Sequence, residues 1–151
     1  MKSFFVQVWE NPVFIPGLIA WFLAQLIKTL INWRINRHLS WERMVGAGGM
    51  PSSHSALVVC ATVMLGLTQG FDSPLVGMMA IVALVVMYDA SGVRKETGKQ
   101  AKVINDLMER LFSAEEIDDA LLKELIGHEP IEVFCGAILG VLVAIGCYYL
   151  L

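Results

Sequence analysis

Gly46-Ala47-Gly48-Gly49-Met50-Pro51-Ser52-Ser53-His54-Ser55-Ala56 stands between two apolar spans. Its glycines and its proline keep it out of regular structure, and a long helical pattern opens just past it. A loop that runs into a helix presents backbone N–H groups without intrahelical acceptors, at the positive end of the helix dipole. That is the setting of an anion site. Ser52 and Ser53 add hydroxyl donors, and His54 adds a group that exchanges a proton near neutral pH. The same residues also read as a capped helix start, with Pro51 in the first turn, the serines as caps and His54 as a polar residue at a membrane surface. The stretch alone leaves both readings open.

The surrounding chain fixes the class. It has 151 residues, 56% of them hydrophobic and 17% charged, with a mean hydropathy of +0.64. Soluble domains are less apolar and carry charge on about a quarter of their residues. The composition predicts an all-α integral membrane bundle in a single domain, and it points to membrane lipids rather than nucleic acid as partners. The net charge of −3 says little, because charge is segregated along the chain. The three cysteines, Cys60, Cys135 and Cys147, fall inside apolar spans and read as small packing residues rather than a disulfide framework or metal site. No cleavable signal peptide is read, since Glu10, Asn11 and Pro12 interrupt the early apolar run.

Outward from the loop, four transmembrane helices are predicted over residues 12–31, 51–70, 74–90 and 131–151. Met1 to Trp9 is too short to span and either lies at an interface or starts the first helix. Gly70 to Pro74 reads as a tight turn. Residues 91–127 form the one long hydrophilic segment. Within it Leu107, Met108, Leu111 and Phe112 recur at helical spacing. Ser113 and Glu116 form a capping-box pattern ahead of a stripe of Leu121, Leu122, Leu125 and Ile126, which Gly127 would end. These are expected to be amphipathic interfacial helices. Gly136 and Gly140 allow close helix packing, either within the chain or in a homo-oligomer.

Alternating spans bring Lys28, the Ser52–His54 loop, Asp89, Ser91, Arg94 and His128 to one face of the membrane. All three histidines fall on that side. Cations around an anion loop with two histidines suit phosphoryl transfer: the transferring group carries negative charge, one histidine attacks phosphorus, and the other protonates the leaving oxygen. Taken singly, Lys28 and Arg94 also read as membrane-edge residues with snorkelling side chains.

Pro51-Ser52-Ser53-His54 resembles the second signature of the type 2 phosphatidic acid phosphatase superfamily, which includes the vanadium haloperoxidases. Gly127-His128-Glu129-Pro130-Ile131-Glu132-Val133, followed by Gly136 and Gly140, resembles its third. Tyr88 to Arg94, with Gly98 to Ala101, is similar to the divergent bacterial and plant branch. The resemblance runs from about Gly17 to Leu142. In the first signature, Arg34 follows Lys28 one position early and Ile35 replaces a proline. In the third, Leu122 stands where an arginine is usual, a charge that Arg94 would supply if residues 95–126 loop out. Glu132 replaces an aspartate, and four spans replace six.

The resemblance implies a lipid phosphatase without metal or cofactor. His128 would attack the phosphate and form a phosphohistidine, with Glu132 orienting the imidazole. Lys28, Arg94, Ser52 and the Ser53 N–H would hold the phosphate oxygens, with Arg34 and Asp89 in support. His54 would protonate the leaving alcohol and then activate water. The implied substrate is a lipid or polyprenyl phosphate monoester or pyrophosphate. A magnesium site from Asp89 with Asn105 or Asp106 is the weaker reading of those residues. The alternative is a membrane protein that binds anionic lipid, or a transporter or scaffold, built on the relic of such a pocket. A haloperoxidase-like enzyme is disfavoured by composition. All lysines and arginines except Lys2 fall on the motif side. Positive residues of short loops stay in the cytoplasm, so the expected site is at the cytoplasmic face of the cell's inner membrane, with both termini and the Phe71–Ser73 turn outside.

Overall fold

The architecture starts from local signals at the helix ends. The computed structural model describes residues 3–36, 49–111 and 130–150. They form six helices: α1 (Phe4–Trp9), α2 (Phe14–Asn36), α3 (Ser53–Gln69), α4 (Pro74–Ser91), α5 (Val93–Leu111) and α6 (Pro130–Leu150). No strand occurs among the described residues. Asn11 begins α2 by accepting from the N–H groups of Val13 and Phe14, both at 2.9 Å. Ser52 is the N-cap of α3, so Pro51 precedes the helix instead of occupying its first turn. Ser73 caps α4 ahead of Pro74, whose missing N–H costs nothing at that position.

The turn between α3 and α4 is as tight as the sequence suggests. Gly70 sits at φ 89°, in the left-handed region that glycine occupies without strain. Its carbonyl accepts from the Ser73 N–H at 3.2 Å. Inside the helices, threonine hydroxyls return to carbonyls one turn back: Thr29 to Gln25 at 2.8 Å, Thr62 to Val58 at 2.7 Å and Thr68 to Met64 at 2.8 Å. Each hydroxyl is thereby satisfied within its own helix, which an apolar environment requires.

Helix α3 is the central element, in contact with α2, α4 and α6. The core cluster consists of Ala20 and Ala24 from α2, Ala56, Cys60 and Met64 from α3, and Ala144 from α6. Small side chains let the backbones approach closely. At Gly136 a Cβ would run into the Ser52 carbonyl oxygen. At Gly140 it would lie 2.5 Å from the Ala56 oxygen and 2.9 Å from the Cys60 nitrogen. The sequence left this glycine pair to either intramolecular packing or a second copy; it is buried within the chain, against α3. The contacts of Gly136 with Ser52 and of Gly140 with Ala56 and Cys60 show α3 and α6 to be parallel, both starting at the same end. Gly49 lies against Lys28 and so brings the C-terminal part of α2 to that end. The short turn after α3 returns α4 there as well.

The outward surface is apolar. Phe22, Leu26 and Leu30 of α2, Met78, Ile81, Leu84 and Val85 of α4, and Phe134, Ile138 and Leu142 of α6 are all exposed. A belt of this extent is a lipid-facing surface. Three helices are long and apolar enough to cross a membrane, over Phe14–Arg34, Pro74–Ser91 and Pro130–Leu150. The expected fourth, α3, has 17 residues. At 1.5 Å per residue that is about 25 Å, short of the ~30 Å hydrocarbon core. It does not need full spanning length, because its neighbours cover much of it. The result is an all-helical membrane bundle.

Helix α1 exposes Phe4, Phe5 and Trp9. Helix α5 packs on α4. It buries Ala101 and Asn105 and exposes Val103, Ile104 and Leu107, the amphipathic character expected of the hydrophilic segment. The Ser113–Glu116 capping pattern and the Leu121–Ile126 stripe lie outside the described residues.

Candidate functional site

At the end where α3 and α6 begin, polar residues replace the alanines of the core. Along α2 the buried positions run from Pro16, Gly17, Ala20 and Ala24 to Gln25 and Lys28, so the inward face turns polar in its later turns. Lys28 is only 6% exposed. Its stem runs beneath Gly49, where a Cβ would lie 3.2 Å from Lys28 Cγ and 3.4 Å from Cδ. Gly49 also has φ 90°. Both the close approach and the left-handed backbone call for glycine at this position.

The chain then enters α3. The Ser52 N–H donates to the Glu132 carbonyl at 2.9 Å, fastening the start of α3 to the first turn of α6. Ser52 Oγ accepts from the Ser55 N–H at 3.4 Å, and the Ser55 hydroxyl donates to Ser52 Oγ at 3.1 Å. Ser52 and Ser55 are both fully buried. The capping reading of the motif therefore holds for Ser52: its hydroxyl is engaged in starting the helix. Ser53 is buried and His54 half-buried, with its Nδ1 buried.

The electrostatics follow from this geometry. Two parallel helices present their N-termini at one end, each equivalent to about half a positive charge. The Lys28 ammonium adds a full charge in a sheltered position. Glu132, half-buried in the first turn of α6, is placed where the dipole favours a carboxylate.

The remaining expected residues are distributed as follows. Arg34 is exposed on the last turn of α2, beyond the Lys28 site. Asp89 is exposed near the end of α4. Arg94 begins α5, directly after α4 returns to the motif end, and its side chain lies outside the described residues. His128 also lies outside them, just before Pro130 opens α6. The structure thus joins Lys28 to the loop and Ser52 to Glu132. Of the residues weighed for magnesium, Asp106 and Asp89 are exposed and Asn105 is buried. No cluster of three His, Cys, Asp or Glu occurs among the described residues.

Three contributors were not singled out from the sequence. Ser55 was legible as the third residue after a serine N-cap, a position whose N–H a cap accepts. Gly49 was legible only as one of several loop glycines. Gln25 is an amide one helical turn before Lys28 in an otherwise apolar span, and that placement was its signal.

A family model described as the divergent PAP2 family matches residues 9–143. The uncharacterized membrane protein YuiD of Bacillus subtilis (strain 168) is 39% identical over 155 residues, covering 95% of this chain and 98% of its own length. No solved structure matches.

Proposed function

The chain belongs to the divergent PAP2 family, and from that membership we propose that it is a membrane phosphatase acting on a lipid or polyprenyl phosphate monoester or pyrophosphate. The observation that carries this reading is the convergence at one end of the bundle. Buried Lys28, the Gly49–Ser52 turn and the starts of α3 and α6 meet there, and His128 immediately precedes α6.

In this reading Lys28 and the first-turn N–H groups of α3 bind the phosphate oxygens, joined by Arg94 from the start of α5. Ser52, being fully buried, fixes the position of that first turn. A ring nitrogen of His128 attacks phosphorus, the bond from phosphorus to the leaving oxygen breaks, and His54 gives that oxygen its proton. Glu132 holds the His128 ring and offsets its positive charge. His54 then takes a proton from water, the resulting hydroxide attacks phosphorus, and the P–N bond breaks to release inorganic phosphate and free His128.

The site faces the cytoplasm in this proposal, because all lysines and arginines except Lys2 lie on its side. Its substrates are then lipid phosphates of the inner leaflet. The test is phosphate release by the purified protein from a panel of lipid and polyprenyl phosphates, with and without vanadate. Release that vanadate inhibits and His128→Ala abolishes is expected. Binding of the same lipids without release by the wild type would favour an anionic-lipid-binding protein instead.

A further inference from the structure

Gln25 is 9% exposed on a helix that is otherwise apolar around it. Its Oε1 is buried and has no hydrogen-bond partner among the described residues. A buried acceptor left without a donor destabilises the fold, and such groups in native proteins are uncommon unless something else supplies the donor. Lys28 follows one turn later, so the two side chains are neighbours on one face of α2. The Gly49 backbone closes over the Lys28 stem and leads directly to the start of α3. Leucine or methionine would fill this volume at no polar cost, yet an amide is present beside the one buried cation among the described residues.

We propose that Gln25 is a further ligand of the bound phosphate, an assignment that rests on the phosphatase reading above. A lysine supplies only donors and so cannot accept the proton of a P–OH. The amide oxygen accepts, so it takes the P–OH of a singly protonated terminal phosphate; turned over, the amide donates through Nε2 to an unprotonated oxygen. The Gln25–Lys28 pair therefore recognises a terminal phosphate in either protonation state. A phosphodiester monoanion carries no P–OH and would engage the amide only through Nε2.

The experiment compares the wild type with Gln25→Leu. Thermal unfolding of the purified protein is followed by tryptophan fluorescence across a titration with inorganic phosphate and, separately, orthovanadate. An anion that binds the folded state raises the midpoint. Gln25→Leu is expected to melt higher than wild type without anion, because the unpaired acceptor is gone. Its phosphate dissociation constant should be weaker by about tenfold or more, as for loss of a hydrogen bond to a charged group. Gln25→Glu serves as the second variant and covers misfolding of the first. It should bind phosphate weakly at alkaline pH and regain affinity as the pH falls through the carboxylate range. Unchanged anion affinity in both variants overturns the assignment and leaves the phosphatase reading intact. A wild-type midpoint that neither anion moves removes the phosphate site itself, and the assignment with it.

Discussion

Helices α3 and α4 are sequence neighbours of nearly equal length, 17 and 18 residues, and both are apolar. Yet α3 buries Ser53, Ser55, Ala56, Val58, Cys60, Met64 and Gly66, whereas α4 buries only Val76, Ala83 and Ala90. The difference lies in side-chain size and polarity. Serine, alanine, cysteine and glycine let three helices close around α3. The valines, leucines and methionines of α4 face outward, where lipid tails solvate them as well as a protein core would. In a membrane bundle the more polar of two apolar helices is the one at the centre, because lipid penalises polar groups that soluble proteins would place outside.

This contrast breaks first at the α3–α6 contact. Gly140→Leu places a side chain where the Ala56 oxygen would already be 2.5 Å from its Cβ. Backbone atoms cannot step aside as a flexible side chain can, so the variant is expected to lose the folded bundle in detergent, seen by size-exclusion chromatography and circular dichroism. The same exchange at Gly77 of α4, where an added Cβ meets nothing within 4 Å, should leave the fold intact.

The next largest effect is chemical. His54→Ala should reduce phosphate release by about 10²–10⁴-fold, the usual contribution of a general acid, while the thermal midpoint stays near wild type. Smaller again is Ser52→Ala, which removes the N-cap of α3 and strands the Ser55 hydroxyl. A loss of about 0.5–2 kcal/mol is expected from the cap, read from reversible unfolding. At the bottom of the range, Leu84→Ala on the exposed face of α4 should change stability by no more than about 0.5 kcal/mol. A large loss at Leu84 would mean that this face is covered by protein, and the contrast between the two helices would fail.

Much of the bundle was legible in the sequence because a bilayer enforces long apolar helices with punctuated ends. Asn11, Ser73-Pro74 and Gly70 marked their boundaries by local chemistry alone. Helix α2 runs on to Asn36, past its apolar span, because backbone hydrogen bonding does not stop where hydropathy does. The central role of α3 was less visible: only pairing with Gly136 and Gly140 shows why its serines and alanines are where they are. In the site, the loop motif and Lys28 were recognisable from residue type and spacing. Two features depended on tertiary contact: the link from Ser52 to the Glu132 carbonyl, and the fit of Lys28 under Gly49. No pattern within a single span encodes a backbone bond between two helices that begin about eighty positions apart. Arg94 was expected at the loop on charge grounds, and the sequence and backbone agree only in bringing the start of α5 to that end.

The central claim is that this polar end of the bundle transfers phosphate through His128. The direct measurement is capture of the covalent intermediate. The purified protein is mixed briefly with a lipid phosphate carrying a radiolabelled terminal phosphate, quenched in base, and resolved on a gel. The account predicts label on the protein that survives base, is lost in acid as a phosphohistidine is, and is absent from His128→Ala but retained in His54→Ala, in which the leaving-group proton and not the nucleophile is missing. Label that persists in His128→Ala, or vanadate-sensitive phosphate release with no labelled protein at any time, would contradict it.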